Sequence, residues 1–367
     1  MNDHVYLDNA AASPLRPEAV ETLQTGAAAW ANPSSLHTQG RRAKDMLEAS
    51  RARLAKRLDV RPIEITFTAN ATESNNLVSS GVGGQICVPR GEHPSLGSVD
   101  ADRLTEIKLL PSGQIDLGDL ELKLQRGVSL VAMSLINSST GVIQSVADIH
   151  KIINRQKEDR RPLLHIDASQ ACGVLNVRPH SLQADTVTIS ASKCGGPKGA
   201  AALYVNKDVA LAKSMVGGPQ EHGLRPGTEN VSAIDSFVAA FEAAEDSRVN
   251  EHERLSELQS HLETELKQRG VVVVGEDSVR SPAISVIVAP GLSNEELLYK
   301  LDAAGIAVGI GSACHASSAE PNRSLSAMGL SKKDAHSSIR ISLGWQNTKA
   351  DIDRFVAVFR GIYDSPS

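Results

Sequence analysis

The sequence contains few cysteines and lacks any long apolar run. The four cysteines, at positions 87, 172, 194 and 314, are scattered and form no CxxC pair. They indicate neither a disulfide framework nor a zinc site, and each is expected to be a free thiol in a reducing compartment. No stretch supplies the ~18 apolar residues that span a bilayer, and residues 1–14 lack the features of a signal peptide. We therefore expect a cytoplasmic protein that does not associate with membranes.

The sequence also lacks a strong excess of charge of either sign. Its formal net charge is −5, and acidic and basic residues are mixed along the whole length. No basic stripe could follow a phosphate backbone, so direct binding of nucleic acid is not expected. With 41% apolar and 22% charged residues, the composition is typical of a globular chain and excludes the disordered and fibrous classes.

What the sequence does contain is an alternation of short apolar runs with helical stretches. Segments such as 36–58 and 146–156 have the apolar spacing of helices. Six runs between them predict buried strands, at 63–70, 85–90, 128–136, 162–169, 185–190 and 201–205. This order predicts an α/β fold with a mostly parallel sheet covered by helices on both faces.

The last third of the chain has a different pattern. Residues 230–269 predict one long helix with charged faces and no proline. The strand-like segments 271–275, 283–290 and 338–344, with a helix at 294–305, predict a smaller α+β unit. No internal repeat or low-complexity linker is present. We predict a large domain at 12–247 and a small domain at 248–367 that also includes residues 1–11.

Polar residues follow several of the predicted strands. Thr72 stands at a helix start, where free N–H groups favour a phosphate, although alone it is better interpreted as an ordinary helix cap. Asp167 ends a strand with Gln170 three residues later, and either holds a protonated ring nitrogen or caps a helix. Lys193 lies 26 residues after Asp167 in the glycine-rich loop SKCGGPKG, which suits a lysine that forms a Schiff base. Most loop lysines are solvated, and only the combination with Asp167 singles out Lys193.

Eight motifs in this order resemble those of the cysteine desulfurases, which are pyridoxal-phosphate enzymes of fold type I in the class V aminotransferase group. They are DNAA at 8–11, ATESNN at 71–76, EH at 92–93, HIDASQ at 165–170, SxxK at 190–193 followed by GPKG at 196–199, RPGT at 225–228, GSAC at 311–314 and SSIRISLG at 337–344. The resemblance covers essentially the whole chain. It implies conversion of L-cysteine to L-alanine, with the sulfur transferred to Cys314 as a persulfide for delivery to an acceptor.

The resemblance also implies roles for the residues that surround the cofactor ring. Lys193 would hold pyridoxal 5'-phosphate covalently, and Asp167 would keep the ring nitrogen protonated. Gln170 would donate a hydrogen bond to the phenolic oxygen of the ring. His93 would stack on the ring and take part in acid/base steps.

The cofactor phosphate is the second feature that the resemblance assigns. The phosphate would lie on the backbone of Ala71 and Thr72 and accept hydrogen bonds from the hydroxyls of Ser190 and Ser192. Thr228 would reach the same phosphate from a neighbouring subunit, which implies a homodimer.

Substrate binding and sulfur transfer are assigned to three further residues. Arg340 would clamp the carboxylate of L-cysteine with its planar fork, and Asn137 would also contact the substrate. Cys314 lies among Gly, Ala and Ser residues that are typical of an exposed loop, whereas Cys87 and Cys172 are expected to be core residues. The Cys314 thiolate would attack the sulfur of the substrate.

Two positions depart from the family pattern. Ser192 stands where the family commonly has histidine, which should reshape the phosphate contact. Ser138 replaces the second of two usual asparagines, which affects the hydrogen bond to the ring oxygen.

Another class V enzyme, such as an aminotransferase or a selenocysteine lyase, would share the cofactor residues, and only the Cys314 loop separates these activities. A scaffold without catalysis is the alternative from another class. A protein sulfur acceptor is expected, with iron–sulfur cluster assembly as one destination of the sulfur.

Overall fold

The structure is a computed structural model that describes residues 4–310 and 322–364. Its strands are β1 (Val5–Tyr6), β2 (Ile65–Thr68), β3 (Gln85–Pro89), β4 (Leu104–Ile107), β5 (Val128–Ser134), β6 (Leu163–Asp167), β7 (Thr186–Ser190), β8 (Ala201–Val205), β9 (Val272–Val273), β10 (Ile284–Val288), β11 (Ile306–Ala307) and β12 (Ser338–Ser342). Its α-helices are α1 (Pro17–Gly26), α2 (Thr38–Leu58), α3 (Ala71–Gly81), α4 (Pro94–Gly97), α5 (Leu117–Leu124), α6 (Val146–Asn154), α7 (Pro179–Leu182), α8 (Val231–Lys267), α9 (Asn294–Ala303), α10 (Arg323–Ala327), α11 (Lys332–His336) and α12 (Lys349–Tyr363).

The main sheet has seven strands in the order β2-β8-β7-β6-β5-β3-β4. The strands β4, β3, β5, β6 and β7 are parallel, whereas β8 runs antiparallel to both β7 and β2. All five residues of β7 are buried, as expected for a strand covered on both faces. The predicted α/β fold with a mostly parallel sheet is confirmed.

The edge strand β4 was not among the predicted strands. Its sequence, Leu-Thr-Glu-Ile, alternates in polarity, and three of its four residues are only partly buried. Because β4 buries little of its surface, it lacks the continuous apolar run that marks the other strands.

A second hydrophobic cluster lies outside the main sheet. The antiparallel strands β12-β10-β9 and the parallel pair β1-β11 contribute to it together with α9 and α12. Helix α8 belongs to both clusters: Phe237 and Phe241 lie in the main core, and Leu258 and Leu262 lie in the second one. Within residues 4–310 and 322–364, no helix combines the length and the apolar character needed to cross a bilayer.

The strand ends determine where the site forms. The parallel strands β5, β6 and β7 end at Ser134, Asp167 and Ser190, on the same edge of the sheet. The chain that leaves β3 reaches the same edge, because Glu92 accepts hydrogen bonds from Ser134. Helix α3 begins three residues after β2 and packs on β7 and β8. The polar groups of five segments therefore converge at one edge, as is usual for ligand sites in α/β sheets.

Candidate functional site

Asp167 lies at the centre of this edge and is buried. Its Oδ1 accepts a hydrogen bond of 2.9 Å from the backbone N–H of Ser169. Its Oδ2 accepts one of 2.8 Å from Nδ2 of Asn75 on α3. One donor on each oxygen fixes the plane of the carboxylate.

Lys193 ends the 3-10 turn Ala191–Lys193 that follows β7. Its Nζ donates to the carbonyl oxygens of Ala10 at 2.9 Å and Ala11 at 2.5 Å. Nε2 of Gln170 donates to the same Ala10 oxygen at 2.9 Å. Burial lowers the pKa of Lys193 from its ordinary value and Arg340 lowers it further, against the opposite effect of Asp167 and Asp8. The lowered pKa makes the neutral amine, which can take up a proton or act as a nucleophile, easier to reach than for a solvated lysine.

His93 precedes the short helix α4 and is exposed at the site. Its Nδ1 accepts a hydrogen bond of 3.1 Å from the backbone N–H of Ser95 and lies 2.8 Å from Oγ of Ser95. Because a backbone N–H can only donate, Nδ1 carries the lone pair, and the neutral ring has its proton on Nε2. Loss of water around the ring lowers its pKa, while Asp167 opposes this effect. His93 therefore presents an N–H donor at Nε2.

Glu92 anchors the turn that carries His93. Its carboxylate accepts hydrogen bonds from the backbone N–H of Ser134 at 2.9 Å and from Oγ of Ser134 at 2.5 Å. Burial raises the pKa of Glu92 to about 7, and the two hydrogen bonds from Ser134 only partly oppose this effect. The turn is thus attached to the end of β5 through a buried carboxyl group.

The predicted phosphate-binding groups lie at the start of α3 and after β7. The Asn70 side chain accepts the N–H of Glu73 at 2.9 Å, whereas the N–H groups of Ala71 and Thr72 have no acceptor within the helix. The Ser190 and Ser192 hydroxyl oxygens are 3.3 Å apart. Free backbone donors at a helix N-terminus of this length, with adjacent hydroxyls, suit an anion.

Arg340 on β12 is 4% exposed. Its Nη2 donates to Oδ1 of Asp8 at 2.7 Å, and its Nη1 donates to the backbone oxygen of Ser138 at 3.0 Å. Its Nε is buried and has no partner within the described residues. The Asn137 amide oxygen accepts the N–H of Ser139 at 2.9 Å, so this part of the side chain closes its own turn.

Two predicted residues are not joined to this arrangement. Thr228 is exposed in the segment before α8, and its hydroxyl makes no hydrogen bond within the described residues. Cys314 lies outside the described residues, as does its neighbour His315. The other three cysteines are buried free thiols, which confirms their prediction as free thiols and the interpretation of Cys87 and Cys172 as core residues. Burial raises the pKa of Cys87 to about 12.

Sequence reasoning did not identify Asn75, Ser95, His165 or the partner of Arg340, Asp8, as site residues. A signal for one of them was available. His165 and Asp167 are two residues apart on one strand, so their side chains point to the same face of the sheet. The position of Asn75 opposite that face depends on how α3 packs on the sheet, which the sequence does not specify.

Within the described residues, no group of three or more His, Cys, Asp or Glu side chains is arranged to hold a metal ion.

Comparisons with known proteins agree with the geometry of the site. The family model for aminotransferase class-V matches residues 5–355.

Individual relatives extend along nearly the whole chain. The chain is 34% identical over 381 residues to the cysteine desulfurase IscS of Dictyoglomus turgidum, covering 99% of this chain and 95% of the relative. It is 32% identical to the cysteine desulfurase IscS 1 of Archaeoglobus fulgidus, covering 98% and 97%. An X-ray structure of a NifS-like protein from Rickettsia africae superimposes with a TM-score of 0.91 at 33% identity, covering 99% and 100%. The chain therefore belongs to the aminotransferase class-V family and, within it, to the cysteine desulfurases.

Proposed function

We propose that this protein is a pyridoxal-phosphate-dependent cysteine desulfurase that converts L-cysteine to L-alanine and transfers the sulfur to Cys314. The observation that carries the proposal is the convergence of Lys193, Asp167 and Arg340 on one edge of the main sheet. An amine with a lowered pKa, a fixed carboxylate and a guanidinium with a free donor are the groups that amino-acid chemistry on this cofactor requires. The curated relatives carry the same activity in their names.

The residues present fit pyridoxal 5'-phosphate. The N–H groups of Ala71 and Thr72 have no acceptor within α3, and the Ser190 and Ser192 hydroxyls are adjacent, so these four residues would hold the phosphate. The buried Thr188 hydroxyl has no hydrogen-bond partner within the described residues, so it would be available to hydrogen-bond a bound ligand. When bound, the cofactor supplies an electron sink that makes the α-proton of an amino acid labile.

Lys193, Asp167, Gln170 and His93 would surround the cofactor ring. Lys193 would bind it covalently, and Asp167 would face the ring nitrogen with a carboxylate whose plane is fixed by two donors. Gln170 shares the Ala10 oxygen with Lys193, which places its amide beside the lysine. His93 would stack on the ring with its Nε2–H as a donor.

Arg340 would bind the substrate carboxylate. Asp8 and the Ser138 carbonyl hold two nitrogens of the guanidinium and thereby orient it, and the unpartnered Nε remains available. An incoming carboxylate satisfies that buried donor, which otherwise costs about 1–3 kcal/mol. Asn137 accepts the N–H of Ser139 at its amide oxygen, and its amide nitrogen would donate to the substrate carboxylate.

Proton and sulfur transfer follow from these positions. Nζ of Lys193 takes the α-proton and returns a proton to the product, a role for which its lowered pKa suits it. The thiolate of Cys314 attacks the substrate sulfur, and the bond between that sulfur and the β-carbon breaks. A persulfide forms on Cys314, the β-carbon gains a proton, and alanine leaves.

The organisation of the protein is part of the proposal. We propose a homodimer in which Thr228 completes the phosphate site of the neighbouring subunit, which the exposure of Thr228 supports. We place the large domain at 12–247 and the small domain at 248–367 with residues 1–11, which the grouping of Val5 and Leu7 with α9 and α12 supports. A cytoplasmic location and a protein acceptor for the sulfur, serving iron–sulfur cluster assembly, complete the proposal.

The experiment that tests the function is a product assay. The purified protein with bound pyridoxal phosphate is incubated with L-cysteine and a thiol reductant, and alanine and sulfide are measured. Equal amounts of both are expected. Pyruvate without alanine would indicate a different lyase, amino transfer to a keto acid would indicate an aminotransferase, and a protein that neither absorbs near the cofactor band nor turns over would be a scaffold.

A further inference from the structure

We infer that Asn75 is a positioning residue of the cofactor site, whose single amide group orients Asp167 directly and His93 through Ser95. The inference rests on the proposed function, because it assigns Asp167 to the ring nitrogen. Asn75 lies on the buried face of α3, and none of its surface is exposed.

Each hydrogen of the Asn75 amide is used. Nδ2 donates to Oδ2 of Asp167 at 2.8 Å and to Oγ of Ser95 at 2.9 Å. An ionised carboxylate can only accept, so the NH₂ group of Asn75 must face Asp167. Ser95 receives one hydrogen at its oxygen, and its own O–H is then directed to Nδ1 of His93, 2.8 Å away. One amide therefore holds Asp167, at the end of β6, and Ser95, in the short helix α4.

The amide is itself held from behind by His165. Nε2 of His165 lies 3.0 Å from Oδ1 of Asn75, and Nδ1 lies 2.8 Å from Oγ1 of Thr186. Because the Asn75 oxygen can only accept, Nε2 of His165 carries the hydrogen and Nδ1 accepts from the threonine hydroxyl. Burial lowers the pKa of His165 to about 4, so the ring is neutral and can donate and accept in this way.

In the hydrogen-bonded series Thr186–His165–Asn75, the donor and the acceptor of each hydrogen bond can therefore be assigned in only one way. Rotation of the Asn75 amide by 180° would place its oxygen against the Asp167 carboxylate and its NH₂ group against an N–H of His165. Both contacts would be repulsive in a buried environment, where unsatisfied polar groups are costly. The network therefore leaves Asp167 and Ser95 with one orientation each.

The effect on Asp167 can be measured with two ligands. Pyridoxal 5'-phosphate has a ring nitrogen, whereas its 1-deaza analogue has a C–H group at that position. Dissociation constants are measured with the full chain freed of cofactor, for the wild type, Asn75→Ala and the matched control Asn76→Ala. Asn76 is the exposed neighbour on the same helix, and its amide donates to the Thr72 carbonyl at 2.7 Å.

Asn75→Ala is expected to weaken binding of pyridoxal phosphate about tenfold, the size of one hydrogen bond to a charged group. Binding of the 1-deaza analogue should change less than about twofold, because that ligand gains nothing from Asp167. The Asn76→Ala variant should change neither constant. A purely structural role for Asn75 would weaken both ligands equally, and that result, or no change in either, would overturn the inference.

The effect of Asn75 on His93 is measured separately. In protein labelled with ¹⁵N-histidine, the Nδ1 resonance of His93 should shift in Asn75→Ala and in Ser95→Ala but stay unchanged in Asn76→Ala. Ser95→Ala should leave the ratio of the two dissociation constants unchanged, because it does not touch Asp167. If Asn75→Ala does not fold, an unshifted His93 resonance in Ser95→Ala would still overturn the inference that Ser95 orients His93.

Asp167→Ala separates failure of the inference from failure of the proposed function. If Asp167→Ala weakens pyridoxal phosphate selectively and Asn75→Ala does not, only the role of Asn75 is wrong. If Asp167→Ala affects both ligands equally, Asp167 does not face the ring nitrogen, and the placement of the cofactor is wrong together with the inference.

Discussion

Arg51 and Glu221 form a buried, two-pronged ion pair between α2 and the loop that follows β8. Nη1 and Nη2 of Arg51 each donate to one carboxylate oxygen of Glu221 at 2.7 Å. The same carboxylate accepts the backbone N–H of Phe67 at 2.7 Å. Glu221 and the next residue, His222, have φ of 45° and 60°, in the left-handed region. The ion pair holds a strained turn in place.

Glu221→Gln is expected to lower the free energy of unfolding by about 3 kcal/mol, because it removes the buried counter-charge of the Arg51 guanidinium and leaves only the half-exposed Glu48 to pair with it. Denaturant unfolding measures the change. Glu48→Gln is the matched control, since Glu48 pairs with the same arginine from a half-exposed position. It should cost less than about 1 kcal/mol. Equal costs for the two variants would show that the buried pair does not stabilise the turn.

Thr228 follows that turn, and Thr228→Val tests the shared site. The wild type should have about twice the chain mass of 38.9 kDa by light scattering. The variant should remain a dimer but release pyridoxal phosphate more readily, because a hydroxyl donor to the phosphate is lost. Thr264→Val, at another exposed threonine, should retain the cofactor normally. A fully active monomer would contradict the dimeric site.

Lys193→Ala should abolish the visible absorption of the covalently bound cofactor, because the amine that forms the covalent bond is lost. The control is Lys198→Ala, five residues later in the same loop and exposed. That variant should keep the absorption band. The reverse outcome would place the covalent site at Lys198.

Cys314→Ser should leave cofactor binding intact and stop sulfur transfer. A serine hydroxyl is far less acidic than a thiol and cannot carry a persulfide, so turnover should fall by a large factor while binding of cysteine persists. Alanine formation and protein-bound persulfide are the measurements. Cys87→Ser, in the core, serves as a control that loses stability rather than the reaction itself. Alanine formation at the wild-type rate in Cys314→Ser would remove Cys314 from the mechanism.

The pH dependence of stability should report Glu92. Its pKa in the folded protein, about 7, exceeds the ordinary value of 4.5, so the folded state binds a proton that the unfolded state releases. The free energy of unfolding should therefore fall as the pH rises from about 4.5 to about 7, by up to about 3 kcal/mol from this group.

Glu92→Gln should remove this loss, because the amide can accept from the N–H of Ser134 and donate to its hydroxyl. The variant should exceed the wild type in stability more at pH 8 than at pH 5, as measured by denaturant unfolding. Glu253→Gln, at an exposed position, should differ from the wild type in free energy of unfolding by the same amount at pH 5 and at pH 8. The same difference at both pH values for Glu92→Gln would mean that Glu92 does not titrate as described.

The strands and the main reactive residues could be predicted because their signals are local. Asp167 and Lys193 each follow an apolar run, and strand ends on one edge of a sheet meet regardless of the loops between them. The donor network could not be predicted, since the contact of Asn75 with Asp167 joins residues 92 apart through the packing of a helix on a sheet. The lone pair on Nδ1 of His93 depends on a turn geometry that the letters His-Pro-Ser do not specify.

The segment around Ala10 has a consequence for the order in which the protein assembles. Leu7 and Asn9 hydrogen-bond to Ala307 and Ser342, and the carbonyl of Ala10 receives Lys193. Strand β1 therefore cannot pair until the chain has been synthesised as far as β11. Closing a loop of more than 300 residues costs only slightly more entropy than closing a shorter one, but it is slow to occur. We therefore expect the amine of Lys193 to acquire its two carbonyl partners late in folding, after the sheet that presents it has formed.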